Sequence, residues 1–211
     1  MPLEDINKLD EAKLLGYFET IKSVFLLKFI FLVSVLKDED GKRSIDASKL
    51  PLDAVNSVKL LFDDPLFYKA LSWDNEELYL NYLEDMLTSL VTSSWNVFEQ
   101  ITKDLTKPDY ATHNDDLSVC YQNNKFQFDA REKKDIELFY YLRNAIHHYN
   151  GAYYAAKDID HRYAGVDFKS KGHHGEKIDI NIQLASRIAA DLRRYTMKAW
   201  KNAKNFKPTR P

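Results

Sequence analysis

One cysteine, Cys120, is all the thiol chemistry available to this 211-residue chain. A lone thiol closes no intrachain disulfide and builds no multi-thiolate metal site, and it suits a reducing, cytoplasmic setting. Glycine and proline are scarce, at six each, which argues against a loop-rich or all-β chain and for long helices. There is no Gly-rich phosphate loop, no internal repeat and no low-complexity tract. No apolar run reaches membrane-spanning length. The most apolar stretch, "VFLLKFIFLVSVL" (Val24 to Leu36), is short and carries Lys28, so a buried core helix is expected rather than a membrane span. The opening "MPLEDINKLDEAK" is acidic and lacks the basic start of a signal peptide. A net charge of −2 lacks the global excess that announces nucleic acid.

What is abundant is large apolar and aromatic surface: 45% hydrophobic residues, 13 Tyr and 12 Phe. A chain of this size can bury a sizeable core within one domain. Asp10 to Leu36 reads as one long helix. Lys37 to Pro51 is a polar connector, and Leu52 to Leu71 reads as shorter pieces interrupted at Pro65. A second long helix follows Asp74, a plausible N-cap, and runs to about Leu105. Its stripe is Leu83, Met86, Leu87, Leu90, Val97 and Ile101; Trp95 and Phe98 widen it enough to meet two neighbours, another subunit being one candidate. The third helix opens with Asp129 as N-cap and Glu132 three residues on, a capping box, and stops near Asn150-Gly151. Alternation at Val166 and Phe168, then at Ile178, Ile180 and Ile182, predicts a small β-hairpin or extended insertion over 164–182. "QLASRIAADLRRYTMKAW" closes the chain as an amphipathic helix. It opens a basic C-terminal stretch, Arg187 to Arg210, suited either to phosphate or to solvent and the helix dipole. The fold class is therefore all-α, a bundle of long antiparallel helices with that insertion before the last helix.

The third helix carries "FYYLRNAIHHYNG", Phe139 to Gly151. On a helical wheel Phe139, Leu142, Ile146 and Tyr149 form one apolar stripe, and Arg143, Asn144, His147 and His148 all fall on the other side. Arg143 with His147, and Asn144 with His148, are i,i+4 pairs. Arginine offers a fixed-charge fork for phosphate, histidine a proton near neutral pH, and asparagine an orienting amide. A merely solvated face would more often be Lys and Glu. Metal binding by His147, His148, His173 and His174 is disfavoured. Adjacent helical histidines diverge, and no carboxylate sits at ligand spacing beside them.

The string "RNAIHHYNG" resembles the signature of the HEPN superfamily (higher eukaryotes and prokaryotes nucleotide-binding domains): an arginine, four to six residues, then a histidine. Arg143 and His148 match with four residues between them, Asn144 is the polar residue after the arginine, and Asn150-Gly151 resembles the small polar residue and glycine that follow in several branches. The resemblance covers about Glu76 to Trp200. It implies one HEPN-like helical domain over 1–211, with 1–71 as added N-terminal helices and 72–211 as the core that includes the hairpin. It further implies a homodimer joined through the motif-bearing helices, and in active branches a metal-independent endoribonuclease, often a toxin or phage-defence effector with an antitoxin or regulatory partner. By carry-over His148 is general base or acid, Arg143 stabilises the phosphate, and Asn144 orients His148 or the phosphate; His147 lies outside the matched position and either assists or is structural. Some HEPN toxins carry a modifiable tyrosine two positions after the histidine. Here that position is Asn150, which departs from the pattern.

The expected function is thus RNA cleavage without cofactor or metal, by 2′-OH attack to a 2′,3′-cyclic phosphate. Lys169, Lys171, His173, His174 and Lys177 are candidates for guiding RNA, the alternative being a solvated turn. The alternatives are a catalytically inactive HEPN-like dimer that binds a nucleotide or a protein, and an unrelated helical scaffold with incidental histidines. No membrane contact is expected.

Overall fold

The structure, a computed structural model, describes residues 9–35, 76–106, 124–148, 159–171, 174–175 and 180–205. Among these are four helices: α1 (Glu11–Val35), α2 (Glu76–Thr106), α3 (Ala130–His148) and α4 (Ile182–Asn205). A three-stranded antiparallel sheet, in the order β1 (Ile159–Tyr163), β2 (Val166–Lys171) and β3 (His174–Gly175), precedes α4. The chain is mostly helical, with a small hairpin before the last helix. The connector at 37–51, the pieces at 52–71, the Asp74 cap and the Asn150-Gly151 stop lie outside the described residues. No helix among the described residues is long and apolar enough to cross a membrane.

The helix starts follow from side-chain caps. Asp10 Oδ1 accepts from the Lys13 amide at 2.8 Å ahead of α1. Before α3 the box closes both ways: the Glu132 amide donates to Asp129 Oδ1, and the Asp129 amide donates to Glu132 Oε2, each at 2.8 Å. Two amides that the helix cannot use are thereby satisfied. Asn181 Oδ1 accepts from the Leu184 amide at 2.8 Å and starts α4.

That third cap corrects the expected hairpin. Ile182, expected in a strand, is the first residue of α4. Val166 and Phe168 lie on β2 within the expected span, and β2 pairs with β1, which precedes that span, with Ile159 opposite Ser170 and Tyr163 opposite Val166. Its two-residue loop is Ala164-Gly165, with φ of +51° and +85°. Positive φ at both loop positions gives the twist that matches a hairpin.

The chain divides into two compact units, one of Met1–Ile21 with Thr88–Pro211 and one of Lys22–Leu87. In the smaller unit Phe25, Met86 and Leu87 are buried, whereas Val24, Leu26 and Leu27 are 40–49% exposed. The apolar run in α1 is therefore not the fully buried helix its composition suggests. A helix apolar all round has more apolar circumference than one packed face covers.

The larger unit is built on two sets of packed side chains. Leu9, Leu14, Ile101 and Trp200 form one cluster, flanked by Tyr17, Val97, Leu105 and Met197. The other is a chain of aromatic rings crossing the unit. It runs from Trp95 to Phe98 (5.3 Å between centroids), Phe128 (6.4 Å), Tyr195 (6.0 Å), Phe139 (6.4 Å) and Tyr163 (4.9 Å). Each such pair adds about 0.5–1.5 kcal/mol beyond its buried area. Thr102 and Thr196 are buried within helix faces because each hydroxyl donates to the carbonyl four residues back, Phe98 and Leu192, at 2.8 and 2.7 Å.

The basic residues of α4 are largely committed inside the molecule. Arg193 meets Glu19 at 3.1 Å, Lys198 meets Glu132 at 2.6 Å and Lys201 meets Glu11 at 2.7 Å. Lys204 Nζ donates to the Leu9 carbonyl at 3.0 Å and stands 4.1 Å over the Trp200 ring. The basic helix is a tether to α1 and α3.

Ala164 is the strained member of its turn, since a Cβ at positive φ costs roughly 1–2 kcal/mol. Ala164→Asn should raise stability by about 0.5–1 kcal/mol in urea unfolding, because asparagine tolerates this conformation and Asn-Gly favours the turn. Gly165→Ala should lower it, although the space around Gly165 is open.

Candidate functional site

The motif-bearing half of α3 packs Phe139, Leu142 and Ala145 into the core, with Ile146 half-buried. Arg143 and Asn144 lie on the other side of the helix, half-buried rather than fully exposed. Arg143 Nη1 donates to Asn144 Oδ1 at 2.9 Å. Arg143 Nε is buried and has no hydrogen-bond partner among the described residues. The guanidinium is thus held by a neutral amide and keeps most of its donor capacity. The helix continues through His147 and His148, which places them one turn beyond Arg143 and Asn144; their side chains are outside the described residues.

The remaining candidates are divided. Lys169 is exposed on β2, opposite Asp160. Lys171 ends β2 with its backbone paired to His174 of β3. His173 and Lys177 lie outside the described residues.

A second cluster was not visible in the sequence. It lies where the start of α3, the β1–β2 turn and the first half of α4 meet, around a cleft of about 450 Å³. Two buried carboxylates organise it. Asp191 Oδ2 accepts from Tyr163 OH at 2.8 Å and from Arg187 Nε at 3.1 Å, while Arg194 Nη2 meets Asp191 Oδ1 at 3.0 Å. Asp135 Oδ2 accepts from Tyr195 OH at 2.7 Å, and its Oδ1 lies 2.6 Å from His161 Nε2. Arg194 Nη2 also donates to Tyr195 OH at 3.0 Å, joining the two halves. Tyr163, Tyr195, Asp135 and Asp191 are at most 5% exposed, so every one of these polar groups is buried and partnered.

Burial raises the Tyr163 phenol far above its ordinary value near 10, and its bond to Asp191 adds to the shift. Burial likewise raises Tyr195, with Asp135 next in effect. Both phenols are therefore fixed as donors, and neither can serve as a base near neutrality. At the mouth, the bonds that the Asp129 carboxylate accepts from the amides of Glu132 and Arg131 hold its pKa below the usual value. Among the described residues no three His, Cys, Asp or Glu side chains group to hold a metal ion.

The one signal that could have found part of this cluster is the two-residue separation, Ala164-Gly165, of the runs "IDHRY" and "VDF", which pair as β1 and β2. With that register, Tyr163 and His161 fall on one face of β1. No family model matches the chain, and no curated protein or solved structure matches it either.

The tyrosines set an alkaline limit. Their pKa values are raised on folding, so their contribution to stability is fully present below about pH 10 and is lost as pH rises toward the folded values. Chemical denaturation across this range should show stability falling, and Tyr163→Phe or Tyr195→Phe should each flatten the fall by about one proton's worth of slope. An unchanged slope in both variants would contradict the assignment. Asp191→Ala should cost about 1–3 kcal/mol, chiefly by leaving the Tyr163 hydroxyl buried without an acceptor; the exposed guanidiniums of Arg187 and Arg194 can return to water.

Proposed function

We propose that this chain is a metal-independent endoribonuclease of the HEPN type, acting as a homodimer in which two copies of the α3 motif face each other. The observation that carries the reading is the Arg143–Asn144 pair. A half-buried guanidinium, bonded to a neutral amide and with an unpartnered Nε, stands one turn before His147 and His148 on the same helix. An uncompensated guanidinium is suited to a phosphate that gains charge in the transition state. Histidine is suited to the proton transfers.

In this mechanism His148 removes the ribose 2′-hydroxyl proton, and the 2′-oxygen attacks the adjacent phosphorus. Arg143 stabilises the added charge on the phosphate oxygens, while Asn144 holds the Arg143 fork in place. A second imidazole, His147 or the partner subunit's copy of the motif, protonates the departing 5′-oxygen. The products are a 2′,3′-cyclic phosphate and a 5′-hydroxyl. Such activity fits a toxin or phage-defence role restrained by a regulatory protein. A dimer that binds RNA without cutting it is the competing outcome.

Purified protein should cleave single-stranded or structured RNA in EDTA. Arg143→Ala should lower the rate about 10²–10³-fold and His148→Ala about 10²–10⁴-fold, with end-group analysis giving cyclic phosphate. Cleavage that requires added metal, or that both variants retain, would overturn the mechanism.

A further inference from the structure

We propose that the cleft between the start of α3, the β1–β2 turn and α4 is an oxyanion site that takes a phosphate group. It is separate from the Arg143 face: Asp135 and Arg143 are eight residues apart on α3, about 12 Å along the helix axis.

The argument rests on which hydrogen-bonding valences remain open. The acceptors around the cleft are engaged. Asp191 serves Tyr163, Arg187 and Arg194. Asp135 serves Tyr195 and His161, Glu132 serves Lys198 and the Asp129 amide, and the Asp129 carboxylate serves the amides of Glu132 and Arg131. The two phenols donate inward and are held protonated. The open donors are on three guanidiniums. Arg187 uses only Nε and Arg194 only Nη2, with side chains 61% and 58% exposed. Arg131, also lining the cleft and exposed, donates its backbone amide to Asp129 and its charge acts on that carboxylate, but its guanidinium makes no hydrogen bond among the described residues. A cleft whose four carboxylates are hydrogen-bonded from within and whose guanidiniums keep spare N–H donors suits a ligand that only accepts. The guanidinium forks match the edges of a tetrahedral phosphate. At about 450 Å³ the cleft has room for such a group with several waters, each occupying about 30 Å³.

Asp191 also pre-orients the site. It holds Arg187 and Arg194 from one helical turn on either side, so their remaining N–H groups face the ligand at little cost in side-chain entropy.

The test is NMR titration of the full chain with inorganic phosphate at constant ionic strength, following the arginine Nε–H resonances, with chloride as the control. Arg187 should shift saturably in phosphate and not in chloride. Arg131→Ala removes an exposed side chain that makes no hydrogen bond of its own among the described residues. It should keep the wild-type melting temperature and weaken phosphate binding at least five-fold; Arg187→Ala, if folded, should do the same. No saturable shift in the wild type, or wild-type affinity in folded Arg131→Ala, overturns the proposal. Competition assigns the source of the phosphate. A short RNA carrying a 5′-phosphate that displaces inorganic phosphate, when its 5′-hydroxyl counterpart does not, marks a strand terminus. Displacement by both marks the phosphodiester backbone, and displacement by neither marks the free ion. Arg143→Ala should leave the Arg187 shift unchanged, so this site and the ribonuclease reading stand or fall separately.

Discussion

Tyr195 donates to Asp135 at 2.7 Å across a separation of 60 residues, and the larger unit is organised around that bond. Tyr195 belongs to the aromatic chain that joins α2, the segment before α3, α3 itself and the hairpin. Its ring can sit in that chain only if its hydroxyl finds an acceptor, because a buried unpaired hydroxyl costs roughly 1–3 kcal/mol. Asp135 supplies the acceptor, and a buried carboxylate in turn needs donors of its own. His161 answers that need from β1, while Arg194 of α4 donates to the Tyr195 hydroxyl. Tyr163 and Asp191 repeat the arrangement one layer away. The hairpin is held to the helices by polar groups whose burial obliges them to pair.

That dependence explains what could be read from the sequence and what could not. Helix faces and caps are local. Asp129 and Glu132 lie three residues apart, and both bonds of the box appear where the spacing places them. The stripe of α2 is likewise legible, with Trp95 and Phe98 both fully buried. The cleft is not local: His161 reaches 26 residues back to Asp135, and Tyr163 reaches 28 forward to Asp191. Only the hairpin register brings them together. That register was obscured because the alternation expected to end at Ile182 drew the insertion's end into α4, while Asn181 is the cap that commits Ile182 to a helix.

The basic residues of α4 teach a related point about charge. Read as composition, they suggest a phosphate-binding surface. In space Arg193, Lys198 and Lys201 each face a carboxylate on another helix. The two exposed pairs, Arg193–Glu19 and Lys201–Glu11, contribute at most about 1 kcal/mol each, but all three offset charge that would draw a polyanion. A count of lysines and arginines does not locate an anion site; the count of unspent donors does.

By that measure Arg143 differs from the α4 arginines. Arg187 and Arg194 share a buried carboxylate and keep only their outer donors free. Arg143 has no carboxylate among the described residues, and its single bond is to the neutral Asn144 amide. Its Nε is buried and unpaired, a state that costs folding free energy and that a carboxylate in place of Asn144 would relieve. Such a carboxylate would also cancel the charge a phosphate needs. An amide at position 144 orients the guanidinium without neutralising it. The stability given up there is free energy that binding an anion can recover, which is why the proposed chemistry is placed on this face of α3.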